Sequence, residues 1–233
     1  MPKLENVVAV DWRSGKDRCY FFFKDNNTYT RFDIGTNNVP QGYPAEVNAG
    51  NWGQFHTHVK SLRFGFTTTG LPDGTANGSD DDILWFFYDD NGTPMVCKYD
   101  QDLDEVRRTQ PVAKTIWAPL LPYFYRIVAG TWWPRPGYSL SFRFLMNDGH
   151  SLTYDYKQQR LKHETINASS WPGLEPYKHR IITAVQNDRT LADSYLYIFL
   201  TNHQYIRYNM PLNRAQSRPI NVDDESWPGL LDD

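Results

Sequence analysis

Short apolar runs separated by polar turns recur along the whole chain in a fixed order. In each unit the first run includes small residues such as Ala9, and the second is apolar at nearly every position. A third run then ends in an aromatic residue followed by Asp or Asn. Continuous apolar runs of this length, bounded by turn residues, are typical of buried strands. Each unit is therefore predicted to hold at least three antiparallel strands joined by tight turns.

This order of runs occurs four times. We predict the first strand of the four units at 7–12, 61–66, 127–132 and 181–186, and the second at 19–23, 84–88, 140–145 and 195–200. A tryptophan closes each unit, at Trp52, Trp117, Trp171 and Trp227. These markers divide the chain into units at about 5–58, 59–124, 125–178 and 179–233.

The repeat predicts an all-β fold, a four-bladed β-propeller in one domain. A single small sheet cannot bury both of its faces, and radial stacking of four sheets solves that problem. Small residues in the first strands, such as Gly65 and Ala184, would let four strands approach one axis. We expect the first strands to line a central channel and the closing tryptophans to pack between neighbouring blades.

Several segments resemble the hemopexin-like repeat family. They are residues 8–14 (VAVDWRS), residues 20–24 (YFFFK), the third-strand ending of aromatic and acid, and the closing Trp-Pro-Gly. The chain is most similar to free-standing four-repeat members, which occur among plant seed albumins and in bacteria as photopexin-like proteins. The resemblance implies a channel that holds an ion, Ca²⁺ or Na⁺, on backbone carbonyls. By position those carbonyls belong to Ala9, Arg63, Ala129 and Thr183.

Composition narrows the possible functions. Aromatic residues make up 15% of the chain, which favours strands, and the net charge of −3 gives no basic excess for a nucleic-acid backbone. Two cysteines, Cys19 and Cys97, allow at most one disulfide bond. The first 17 residues contain no long apolar run, so we predict neither a signal peptide nor a membrane span. A cytosolic protein or leaderless export would fit, and the location is otherwise unknown.

Two groups of residues are candidates for ligand binding. Tryptophan stacks on sugar rings and arginine fixes hydroxyl groups, so a glycan site between blades is predicted at Trp12, Arg13, Trp132, Trp133 and Arg135. Packing between blades is the simpler explanation for most of these tryptophans. His56 and His58 precede the second channel strand and His179 precedes the fourth, so the three could hold haem or a transition metal at one channel mouth. Solvent-facing histidines are the simpler explanation here.

The sequence contains no nucleophile elbow, zinc-protease motif or phosphate loop, so we predict no enzyme. Our first hypothesis is a binding protein for a small ligand, either a glycan between blades or a cation in the channel. Haem or metal binding is the second. The third is a platform for protein interactions, which includes a homodimer formed over the channel mouth.

Overall fold

In the computed structural model, which describes residues 4–15, 17–71, 82–133, 140–187 and 194–231, four antiparallel sheets form a four-bladed β-propeller. The predicted fold class is confirmed. Blade 1 consists of β1 (Val7–Trp12), β2 (Arg18–Phe23), β3 (Thr28–Asp33) and β4 (Ala45–Glu46). Blade 2 consists of β5 (Leu62–Thr69), β6 (Asp82–Asp90), β7 (Thr93–Asp100) and β8 (Glu105–Pro111).

The other two blades follow the same order. Blade 3 consists of β9 (Ile127–Trp132), β10 (Ser141–Met146), β11 (His150–Asp155) and β12 (Arg160–Thr165). Blade 4 consists of β13 (Ile181–Gln186), β14 (Tyr195–Leu200), β15 (Gln204–Asn209), β16 (Arg214–Ala215) and β17 (Ile220–Asn221). Both β16 and β17 pair with β15, so two short strands share the outer edge of this blade.

The helices that the structure describes are short. The α-helix α1 (Ala49–Trp52) begins with a capping box in which Asn48 accepts a hydrogen bond from the Gly50 backbone N–H. The 3₁₀ helices are Leu4–Asn6, Gly53–Ser61, Val112–Lys114, Ala118–Arg126 and Glu175–Tyr177. None of the helices within the described ranges has both the length and the apolar character needed to cross a membrane.

The four inner strands stand side by side around one axis. Strand β1 contacts β5 and β13, and β9 contacts the same two strands, so the ring is closed. Glycines permit this approach: a Cβ atom on Gly130 would lie 2.7 Å from Phe66 Cδ1, and one on Gly65 would lie 2.8 Å from Val10 Cγ1. The expectation that small residues allow close packing at the axis is confirmed.

A β-bulge corrects the predicted alignment of the inner strands. In blades 2, 3 and 4 the pairing of inner and second strands skips one residue, at Arg63, Val128 and Ile182. Strand β1 pairs with β2 without such a shift. Because a bulge adds one residue to a strand, the equivalents of Ala9 are Gly65, Gly130 and Ala184, each paired at the same place in its second strand. The predicted set Ala9, Arg63, Ala129 and Thr183 therefore does not form one ring of equivalent positions.

The hydrophobic core is divided among the four interfaces between blades. Each interface contains one closing tryptophan, and Trp52, Trp117, Trp171 and Trp227 are all at most 3% exposed. Their rings contact other aromatic rings mostly edge to face, as Trp117 does with Phe66 and Phe142. The predicted role of these tryptophans as packing between blades is confirmed.

Non-covalent packing closes the ring between blades 4 and 1. Trp227 contacts Phe21 and Phe32 of blade 1 and Phe199 of blade 4. The Val39 backbone N–H donates to the carbonyl of Pro228 over 3.2 Å. Cys19 and Cys97 are both buried and free.

Candidate functional site

A basic groove lies on the face of blade 3 where Arg143 contacts Asn213 of blade 4. It is a cavity of about 220 Å³, and the described residues that line it are all polar: Ser141, Arg143, Thr153, Asp155, Gln158, Arg160 and Lys162. Strand pairing places them side by side, because Arg143 pairs with Thr153 and Thr153 pairs with Lys162. We call this cavity the blade 3–4 groove.

Arg143 is the fixed element of the groove. The residue is 4% exposed, and its guanidinium donates to Asn213 Oδ1 over 2.7 Å and to the carbonyl of Ser170 over 2.5 Å. It also lies 3.7 Å from the ring centroid of Trp171 and 4.5 Å from that of Trp133. Cation–π contacts and hydrogen bonds together hold the charge in one orientation.

Arg143 differs in type from the residues at the equivalent position of the other three blades. The equivalent second-strand position holds an aromatic residue in the other blades: Tyr20, Trp85 and Tyr197. The cross-strand partner of that aromatic is Arg31, Lys98 or Arg207, whereas the partner of Arg143 is Thr153. Blade 3 therefore carries this cation on its second strand, whereas the other three blades carry theirs on the third strand. Comparison of the four units in the sequence could have shown this difference. Arg143, Arg160 and Lys162 were not among the predicted site residues.

The charges of the groove are mostly positive. Arg143, Arg160 and Lys162 carry three cations and Asp155 one carboxylate, which also accepts a hydrogen bond from the Gln158 backbone N–H over 2.9 Å. Arg160 and Lys162 are exposed, and Lys162 forms an ion pair with Glu164 over 2.7 Å. Such a surface can bind an anion and can also donate to and accept from hydroxyl groups.

The described residues that were predicted to bind a glycan do not line the blade 3–4 groove, and some of them are buried. Trp12 is 6% exposed and packs against Trp52, and Trp133 is 2% exposed and packs against Trp171. Both rings belong to the core between blades, as the simpler explanation of packing requires. Trp132 is half-buried beneath the guanidinium of Arg13. Arg135 lies outside the described residues.

Arg13 instead takes part in a buried network at one end of the channel. Its side chain is 6% exposed, and its Nε lies 3.1 Å from Asp11 Oδ2. The other oxygen of Asp11 accepts from the Thr67 backbone N–H over 2.9 Å. Gln186 of blade 4 lies 3.5 Å from Arg13 and accepts from the hydroxyl of Thr131 over 2.7 Å. We call this network the closed end of the channel, since side chains from all four blades meet there.

The closed end does not suit a bound cation. The carboxylate of Asp11 is neutralised by Arg13, so the protein supplies its own positive charge. The hydroxyl of Thr183 accepts a hydrogen bond from the Ala9 backbone N–H over 3.0 Å. Within the described ranges, no three His, Cys, Asp or Glu side chains form a group that could hold a metal ion.

The three histidines that were predicted to hold haem or a metal form contacts of other kinds. His56, His58 and His179 are all described, and they do not form a metal-binding group. His56 Nδ1 lies 2.7 Å from the carbonyl of Gly53, and the His58 ring stacks on Tyr88 with centroids 4.3 Å apart. The ring of His179 instead packs against the backbone at Gly149. Binding of haem or a transition metal by these three histidines stays a prediction.

A second histidine pair was not predicted. The rings of His150 and His163 lie 4.9 Å apart, and His150 Nδ1 is 3.3 Å from Asp148 Oδ1. Burial and the nearby charges of His150 and Arg126 lower the pKa of His163. His163 therefore stays neutral at neutral pH more readily than an isolated histidine would.

No known family model matches the chain, and no curated protein matches it at a significant level. Neither comparison therefore assigns the protein to a family, and its candidate function depends on the blade 3–4 groove and the channel.

Proposed function

We propose that this protein is a non-enzymatic binding protein of the hemopexin-like type that recognises an anionic glycan in the blade 3–4 groove. The main support is a fixed, buried guanidinium at the floor of a cavity whose described lining residues are all polar. The fourfold repeat and the propeller support the relationship to the hemopexin-like family.

The chemistry of the lining favours a charged sugar over a neutral one. Arg160 offers a planar fork of N–H donors that matches a carboxylate or sulfate group, and Arg143 adds a fixed positive charge at the floor. Asp155 and Gln158 provide acceptors for hydroxyl groups, and Ser141 and Thr153 can donate or accept. Because no aromatic residue is among the described residues of the groove lining, recognition would depend on charge and hydrogen bonds rather than on stacking.

The indole rings contribute indirectly. Trp133 and Trp171 lie beneath Arg143 and keep its guanidinium in place, so less conformational freedom is lost when a ligand binds. The corresponding faces of the other blades carry Tyr20, Trp85 or Tyr197 in place of this arginine. We therefore expect one glycan per chain rather than four.

Calorimetry with a matched pair of sugars tests the proposal. The probes are a tetrasaccharide that contains glucuronate and its carboxyl-reduced, neutral form. We expect one charged molecule to bind per chain, and the neutral form to bind at least about tenfold more weakly, because a charge-assisted hydrogen bond is lost. Equal affinity for both forms, or no binding of either, would contradict the proposal.

Substitutions at the exposed rim localise the site. Arg160→Met and Lys162→Met should each weaken binding of the charged tetrasaccharide about five- to tenfold. Arg108 is the matched control, because it pairs with Lys98 in blade 2 as Lys162 pairs with Thr153 in blade 3. Arg108→Met should bind like the wild-type protein, and an equal loss in that variant would mean that binding depends only on net charge.

Haem binding, an ion in the channel, a homodimer and a wider role in protein interactions stay predictions. No specific contact among the described residues favours any of them over the groove.

A further inference from the structure

The end of the channel opposite the closed end is an open cavity. It has a volume of about 240 Å³, and the first residues of all four inner strands reach it. Apolar side chains form its walls: Val7, Val8, Ile127, Val128, Ile181 and Ile182. Most of these are buried, whereas Val128 and Ile182 are half-buried. We call this cavity the channel mouth.

The β-bulges shape the channel mouth. The three bulge residues, Arg63, Val128 and Ile182, all line the cavity. A bulge turns a side chain away from the regular alternation of a strand, and here it brings one residue from each of three blades to the axis. Two of the three are apolar and the third is a cation, so the mouth has an apolar wall with a charge on one side.

Two cations face this apolar wall. Lys24 is half-buried and forms no ion pair with any residue that the structure describes. Arg63 donates to the carbonyl of Tyr125 over 2.6 Å, but its Nε is buried and has no acceptor within the described ranges. Burial and the charge of Arg63 lower the pKa of Lys24, and burial lowers that of Arg63. Glu5, at the exposed rim, is the acidic residue of the lining.

We propose that the channel mouth is a second binding site, for a small organic acid that carries one carboxylate on an apolar body. The carboxylate would take up the free donors of Lys24 and Arg63, and the apolar body would contact Val128 and Ile182. A hydrated metal cation would suffer repulsion from both cations and gain nothing from the apolar wall. A neutral apolar molecule would leave the two charges uncompensated.

Three probes of equal chain length test this inference. Hexanoate, hexanol and hexylamine are titrated separately, with chemical shifts of the apolar wall followed by NMR. We expect hexanoate to bind at least about tenfold more tightly than hexanol, and hexylamine not to bind. Binding should weaken about fourfold for each methylene removed from the acid, as burial of an apolar chain requires. Equal binding of hexanoate and hexylamine would overturn the proposal.

Two substitutions at the mouth should act in opposite directions. Lys24→Met should weaken hexanoate binding about tenfold or more, and Glu5→Gln should strengthen it several-fold because a repelling charge is removed. Arg108→Met, at an exposed position on the outer strand of blade 2, is the matched control and should leave hexanoate binding unchanged. Unchanged binding in both mouth variants, or an equal loss in the control, would overturn the proposal.

Discussion

Removal of the Asp11 carboxylate tests whether the closed end of the channel is a buried ion pair. The Asp11 and Arg13 side chains are 4% and 6% exposed, and Asp11 also accepts a hydrogen bond from the Thr67 backbone N–H. Asp11→Ala would remove the carboxylate partner of the buried Arg13 guanidinium, and breaking a buried ion pair typically costs about 3–5 kcal/mol, to which the lost acceptor contributes. We expect the free energy of unfolding to fall by about 4 kcal/mol.

The assay is urea unfolding followed by tryptophan fluorescence, which the 8 tryptophans make sensitive. In the Asp11→Ala background, Arg13→Met removes the uncompensated charge and keeps an apolar chain of similar length. The double variant should regain at least half of the lost stability. A loss below about 1 kcal/mol in the single variant would refute the reasoning, and so would a double variant no more stable than the single one.

An exposed ion pair provides the control. The Lys162 side chain is 63% exposed and that of its partner Glu164 is 22% exposed. Solvent screens such a pair, so Lys162→Met should change the free energy of unfolding by less than about 1 kcal/mol. A comparable loss in this variant would mean that burial is not the cause of the effect at Asp11.

Three further predictions concern packing, thiols and pH. Gly130→Ala should destabilise the protein by about 1–3 kcal/mol, because the added Cβ would lie 2.7 Å from an aromatic ring of blade 2; Gly35→Ala, with no atom within 4 Å, is the control, and equal effects in urea unfolding would contradict the close approach. Burial raises the pKa of Cys97 to about 12 and that of Cys19 well above its ordinary value, so neither thiol should react with a disulfide reagent until the protein unfolds; reaction at the rate of a free peptide thiol would contradict this. Burial lowers the pKa of His58, so the unfolded chain binds its proton more readily and stability should fall as the pH drops below about 6.5; His58→Gln should reduce this dependence of the melting temperature, and an unchanged slope would contradict it.

The repeat in the sequence was sufficient to predict the blades. The inner strand β1, Val7–Trp12, has the predicted bounds, and β3 ends at Asp33 as the third-strand pattern requires. These features depend on local polarity and on turn residues, which a sequence displays directly. The position of each closing tryptophan between blades followed from the need to bury a large ring.

The β-bulges could not be predicted in the same way. A bulge at Val128 or Ile182 changes neither the composition nor the polarity of its strand, so residues aligned by sequence fell out of register by one position. For this reason the four residues whose carbonyls were inferred by resemblance do not occupy equivalent positions in their blades. Only the pairing of inner and second strands defines which residues are equivalent.

The buried roles of Arg13 and Arg143 were not predicted because burial depends on distant partners. Arg13 follows a strand, where a charged residue is usually exposed, but Asp11 and Gln186 provide buried partners from opposite ends of the chain. Arg143 is a charged residue within an apolar run, so the sequence gives no sign of a buried partner. Its hydrogen-bond acceptor, Asn213, lies 70 positions later. Contacts between residues so far apart in the sequence depend on the closed ring of blades, and the sequence of one unit does not display them.

The packing of Trp227 against blade 1 has a consequence for biosynthesis. Phe21 and Phe32 belong to blade 1, yet the ring that covers them follows the strands of blade 4. Ribosomes synthesise a chain from its amino-terminal end, so blade 1 is made before Trp227 and this apolar surface stays open to water until Trp227 has emerged. During that interval the surface is a place where a chaperone could bind the nascent chain.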